Sequence, residues 1–121
     1  MADSDRRQRG EAMLKKVYAG DVVVPPAGTL AFSDVMVEQL FAEIWTRETL
    51  SMKDKRLLLL GAIAALGEQM TFRIQAKAAL KNGELTPDEL RECLVFLVQY
   101  VGYPRAASLV GIIEEAIREA G

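Results

Sequence analysis

Ser51-Met52-Lys53-Asp54, leading into Leu57-Leu58-Leu59-Leu60-Gly61-Ala62-Ile63-Ala64-Ala65-Leu66 and stopping at Gly67, organises the rest of the chain. A serine three residues ahead of an aspartate is an acidic relative of the capping box and opens a helix. The run that follows is apolar on every side, which predicts a central helix buried by its neighbours. It is about half as long as a membrane span needs to be. Beyond Gly67 a second helix is predicted from Glu68 to Lys81, ending at Asn82-Gly83, the residue types most tolerant of a left-handed cap. Leu85-Thr86-Pro87-Asp88-Glu89-Leu90 then stacks four start signals: Thr86 caps, Pro87 takes the first turn, Glu89 returns to the cap and Leu85 can staple onto Leu90. The helix so opened buries Leu90, Cys93, Leu94, Leu97 and Val98 and ends at Tyr100-Val101-Gly102. Pro104 starts a last helix with Ala107, Val110, Ile113 and Ile117 on one face.

Ahead of Ser51, Ser33 can cap a helix ending near Thr46, whose stripe is Met36, Val37, Leu40, Phe41 and Ile44 with Trp45 at its edge. Val22-Val23-Val24-Pro25-Pro26-Ala27-Gly28 is β-branched but proline-broken and has no partner strand, so residues 21–32 read as an extended linker. A leading helix over residues 8–19 carries Met13, Leu14, Val17 and Tyr18 and stops at Gly20. The expectation is an all-α chain of about six helices forming a single domain over residues 1–121, with residues 1–8 flexible.

Composition narrows the functions. The 121 residues are 50% hydrophobic and 26% charged, a globular balance with a slight apolar surplus that suits a partner subunit. Net charge is −2 with the signs interspersed, so no basic field exists for phosphates and nucleic acid is not an expected partner. Arg6, Arg7 and Arg9 alternate with Asp3, Asp5 and Glu11 and read as a solvated terminal segment. With neither a membrane-length run nor a secretory leader pattern, the expected place is the cytoplasm, with no membrane association. Cys93 is the only cysteine, which precludes an intrachain disulfide and fits a reducing compartment. Histidine is absent, so the commonest metal ligand and general base are missing, and chemistry falls to carboxylates, Lys, Tyr, Cys or backbone. The acidic residues show no clustered loop spacing, so no metal and no cofactor is expected.

Five blocks in order carry a resemblance. Glu43-Ile44-Trp45-Thr46-Arg47, Ala64-Ala65-Leu66-Gly67, Lys77-Ala78-Ala79-Leu80-Lys81-Asn82-Gly83, Thr86-Pro87-Asp88-Glu89-Leu90 and Tyr100-Val101-Gly102-Tyr103-Pro104 together resemble the carboxymuconolactone decarboxylase family. The stretch from Arg9-Gly10 to Gly20-Asp21 resembles the family's leading helix, so the likeness covers most of the chain. It implies the alkylhydroperoxidase D-like helical fold, with subunits packed into trimers or hexamers and active sites near subunit contacts. One branch of the family uses a glutamate, a Cys-x-x-Cys pair and a histidine; the decarboxylase branch lacks the cysteine pair and keeps a histidine. Carried onto this chain, the histidine position falls on Gln75, the cysteine positions on Glu68 and Thr71, and the glutamate position on Arg56.

Dithiol peroxidase chemistry is thereby excluded, because one thiol has no resolving partner. Cys93, among Leu90, Leu94 and Leu97, reads as a small buried hydrophobe. Decarboxylation leaves a carbanion that must be stabilised and then protonated; Gln75 can donate a hydrogen bond but is no proton-transfer group like imidazole. Glu68, Thr71 and Gln75, spaced by three and then four, lie on one side of a helix. This side is the candidate pocket wall, with Glu68 and Gln75 in catalytic positions. Thr71 and Arg56 would bind substrate, Arg56 as the anion-holding group, and Trp45 or Tyr100 would close the pocket. The same residues also have structural readings: Glu68 at a helix N-terminus, Thr71 and Gln75 bonding across a helix pair, Arg56 on the surface, Trp45 and Tyr100 as core or interface anchors. Arg73 and Lys77 fit a solvated edge.

Two functions remain open. One is an enzyme related to the decarboxylases, acting on a small carboxylate or lactone without cysteine redox chemistry. The other is a catalytically inactive relative serving as a ligand-binding or oligomeric interaction protein. Homo-oligomerisation is expected in both cases.

Overall fold

The computed structural model describes residues 2–121, with side chains from Asp5 onward. Met1 and the Asp3 side chain, both in the terminal segment expected to be flexible and solvated, lie outside the described residues. Among the described residues every regular element is helical and there is no strand, in agreement with the all-α reading. Contacts divide the chain into two compact units, Met1–Ser51 and Met52–Gly121.

In the first unit α1 (Ala2–Val17) starts earlier than the residue 8 expected from periodicity. It packs on a segment made of α2 (Ala31–Val35) and a directly following π-helix, Met36–Ile44. Gly10 is where the two come closest: a Cβ there would overlap the Val37 carbonyl oxygen and lie 2.8 Å from Val37 Cγ1. Arg7 corrects the reading of the terminal arginines as a solvated run, for it is only 8% exposed. Its Nε donates to Glu11 (2.8 Å), Nη1 to Asp34 (2.7 Å) and Nη2 to the Pro25 carbonyl (2.8 Å). A guanidinium carries five donors in a fixed fork, so this one side chain straps the non-helical connection between α1 and α2.

The π-helix changes which residues face inward. Ser33 is not the N-cap expected of it; Leu30 holds that position with no side-chain bond, and Ser33 is buried inside the first turn. Winding with i to i−5 bonds adds a residue per turn, which rotates Leu40 and Ile44 out (40% and 53% exposed). Val37 and Phe41 keep the core positions expected of them, and Ala42 and Trp45 join them there. Phe41 stacks on Trp45 with ring centroids 6.4 Å apart and tilts against Tyr18 at 5.7 Å.

The second unit holds α3 (Met52–Leu66), α4 (Gln69–Lys81), α5 (Pro87–Val101), α6 (Tyr103–Ala106) and α7 (Leu109–Ala120). Leu60, Ile63 and Ala64 of α3 meet Phe72, Ala76 and Ala79 of α4, Leu90 and Leu94 of α5, and Leu109, Ile113 and Ala116 of α7 in one core. The Thr86 capping box forms in full, and Leu85 and Leu90 are both buried beside it. Gly83 (φ 71°) supplies the left-handed stop after α4. Two expectations are corrected. The apolar run in α3 is not covered on all sides within this chain, since Leu58 is 65% and Leu66 77% exposed. A break at residues 107–108 shifts the phase of the last helix, so Ala106, Leu109, Ile113 and Ala116 are buried while Ala107 and Val110 are exposed.

Candidate functional site

The inward face of α3 is set by spacing: Arg56, Leu60, Ile63 and Ala64 lie at i, i+4, i+7 and i+8 and are all buried. A charge on such a face is tolerated only when paired and hydrogen-bonded. Arg56 is fully enclosed (0% exposed). Its Nε donates to Glu84 Oε1 at 2.8 Å and its Nη2 to Glu84 Oε2 at 3.1 Å, a two-bond fork on one carboxylate. Its Nη1 donates to Oε1 of Gln75, which reaches across from α4 and is 5% exposed. Asn82, at the end of α4, adds a donor to Glu84 from Nδ2 at 3.2 Å. Among the described residues no buried side-chain nitrogen or oxygen lacks a partner. The cluster is closed: its cation is neutralised, and each of the three guanidinium nitrogens has an acceptor.

Glu68 and Thr71 form a different group at the exposed start of α4. Glu68 is the N-cap, its carboxylate accepting from the backbone N–H of Met70 (3.2 Å) and Thr71 (2.8 Å) and from the Thr71 hydroxyl. The Thr71 hydroxyl, then its N–H, hold the Glu68 carboxyl below its ordinary range. The structure thus joins Arg56 with Gln75, and Glu68 with Thr71. Gln75 is buried whereas Glu68 and Thr71 are exposed. Trp45 is in the first unit, 8% exposed in the stack on Phe41. Tyr100, 80% exposed, leans on Phe96 at 5.4 Å between ring centroids. Cys93 is half-buried, and burial pushes its thiol pKa up.

Of the two readings given to each residue, the capping role of Glu68 and the cross-helix bond of Gln75 describe what the side chains do here. Arg56 is neither a surface residue nor an open anion site. Glu84 is the residue that sequence reasoning missed. The signal was present in the helical spacing, which puts Arg56 on the same face as Leu60, Ile63 and Ala64 and so demands a buried carboxylate. The turn Asn82-Gly83-Glu84-Leu85, which folds back beside the next buried leucine, was where to look for it.

The sequence model described as the carboxymuconolactone decarboxylase family matches residues 31–115. A 4-carboxymuconolactone decarboxylase of Acinetobacter baylyi is similar to the chain, with 27% identity over 90 residues; these span 74% of this chain and 66% of that protein. No solved structure matches the chain.

Proposed function

This chain belongs to the carboxymuconolactone decarboxylase family, and on that premise we propose that it is a non-redox member acting as an oligomeric ligand-binding or interaction protein. In this reading proton transfer has been lost where the resemblance places the family's histidine. The observation that supports it is the closed cluster at that position. The guanidinium fork that would hold a substrate carboxylate already holds Glu84, and Gln75 is an amide bonded to the same arginine. A lone half-buried Cys93 offers no dithiol route. Leu58, Leu66, Phe96 and Tyr100, all large and exposed, favour a homo-oligomer, a trimer or hexamer by resemblance. Among the described residues no helix is long and apolar enough to cross a membrane, and the single cysteine suits the cytoplasm.

The test is a steady-state assay with carboxymuconolactone and related lactones. No turnover above buffer is the expected result. Turnover that disappears in Arg56→Lys or Glu84→Gln, with the helical spectrum kept, would overturn the proposal. Sedimentation that finds a stable monomer on dilution would remove the oligomer from it.

A second reading rests on the similarity to the A. baylyi protein: turnover of a small carboxylate or lactone, with Glu68 and Gln75 at the catalytic positions and Arg56, Thr71, Trp45 and Tyr100 contacting substrate. Loss of lactone turnover in Glu68→Gln would favour this reading over the first.

A further inference from the structure

A groove of about 460 Å³ lies among α5, α6 and α7, on side chains that neither reading uses. It exists because the break at residues 107–108 leaves two small residues, Ala106 and Ala107, where α5 and α7 flank α6. Leu94, Val98, Val110 and Ile113 are among the walls, so the lining is predominantly apolar. Its size falls in the range of small-molecule sites, roughly 300–1,000 Å³. Arg91 and Gln99 both line it on α5 and are separated by about 12 Å of helical rise, so the groove is elongated.

Its charges indicate the ligand. Arg91 and Glu114 are the two charged lining residues, and they hold each other through two bonds of 2.9 Å. Asp88 takes a third Arg91 donor at 3.1 Å, and Arg118 lies close enough to act on Glu114. Among the described lining residues the single cation, Arg91, already has its fork taken up by Glu114 and Asp88. The remaining polar lining groups are the Gln99 amide and Tyr103, which supply hydrogen bonds without charge. We infer that this groove binds an uncharged, elongated, mainly apolar small molecule carrying a hydrogen-bonding group at one end. This ligand class is distinct from a carboxylate, and the inference stands whatever occurs at Arg56.

The test compares 1-naphthol with 1-naphthoate, rings of the same size that differ in charge, by titration against the full chain. Saturable binding of the naphthol is expected, with the naphthoate roughly tenfold weaker, a difference of about 1.4 kcal/mol. Ala107→Phe fills the floor from an exposed turn position and should abolish naphthol binding while leaving the melting curve unchanged. Glu114→Gln leaves Arg91 with Asp88 as its one remaining carboxylate among the partners above and should narrow or reverse the preference for naphthol over naphthoate. No saturable naphthol binding, binding indifferent to Ala107→Phe, or a naphthoate preference in the unmodified chain would each overturn the inference. It also fails if Val110→Arg lowers the oligomeric state and the unmodified chain excludes naphthol, for then a second copy fills the groove.

Discussion

Glu84→Ala should be the most damaging single substitution on the polar network of the second unit. It removes both acceptors of the two-bond fork made by a guanidinium that is 0% exposed, and with them the Glu84 charge that faces it; the Gln75 amide oxygen stays in place. Breaking a buried pair by deleting one partner costs about 3–5 kcal/mol, and a domain of ordinary stability has only about 5–15 kcal/mol in total. For a chain of this length each kcal/mol is worth about 3–6 °C, so the melting point should fall by roughly 10–30 °C. Glu119→Ala is the control. It also deletes a carboxylate bonded twice by an arginine, Arg73, but both side chains are 36% exposed. Solvent screening holds the cost of such a pair to about 1 kcal/mol or less. Urea unfolding followed by far-ultraviolet circular dichroism measures both. If the two variants come out within about 1 kcal/mol of each other, the Arg56 pair is hydrated and the closed-site argument collapses.

Three further outcomes follow from the same contacts. Gly10→Ala should destabilise the first unit by about 1–3 kcal/mol despite alanine's better helix propensity, because the new methyl meets the rigid Val37 backbone; thermal melting checks the sign. Glu68→Gln should cost stability near neutral pH, since a carboxyl whose folded pKa is depressed stabilises above its unfolded pKa and loses that contribution as pH falls through the folded value. The gap to the unmodified chain should therefore close below the ordinary carboxylate range, and a gap unchanged at low pH would contradict the capping role. Cys93, its thiol pKa raised by burial, should react with iodoacetamide more slowly than a cysteine peptide at neutral pH and faster as pH rises.

The signals that read correctly were local and chemical. Thr86, Pro87 and Glu89 act on neighbouring backbone, so their geometry is written in consecutive residues, and the box forms as read. The readings that failed depended on phase. Leu40 and Ile44 were placed inward on a 3.6-residue period that the π-helix does not keep, and Val110 lost its place through a break at residues 107–108 with no proline or glycine to announce it. At the candidate site, likeness to the family singled out Arg56 and Gln75 as separate positions; the bond between them is seen in the structure. That likeness gave no hint of Glu84, because a partner 28 residues away is joined by packing rather than by local pattern.

The buried Arg56 also removes an ambiguity. Leu57 to Leu60 is a run of four identical side chains, so turning α3 about its axis, or sliding it by a residue, would exchange one leucine for another at little cost in buried area. Arg56 breaks that equivalence, because another register takes its two-bond fork off the Glu84 carboxylate. Replacing both by leucine should leave the chain at least as stable but with several α3 registers populated, seen as broadened amide resonances along α3 where the unmodified chain gives one sharp set.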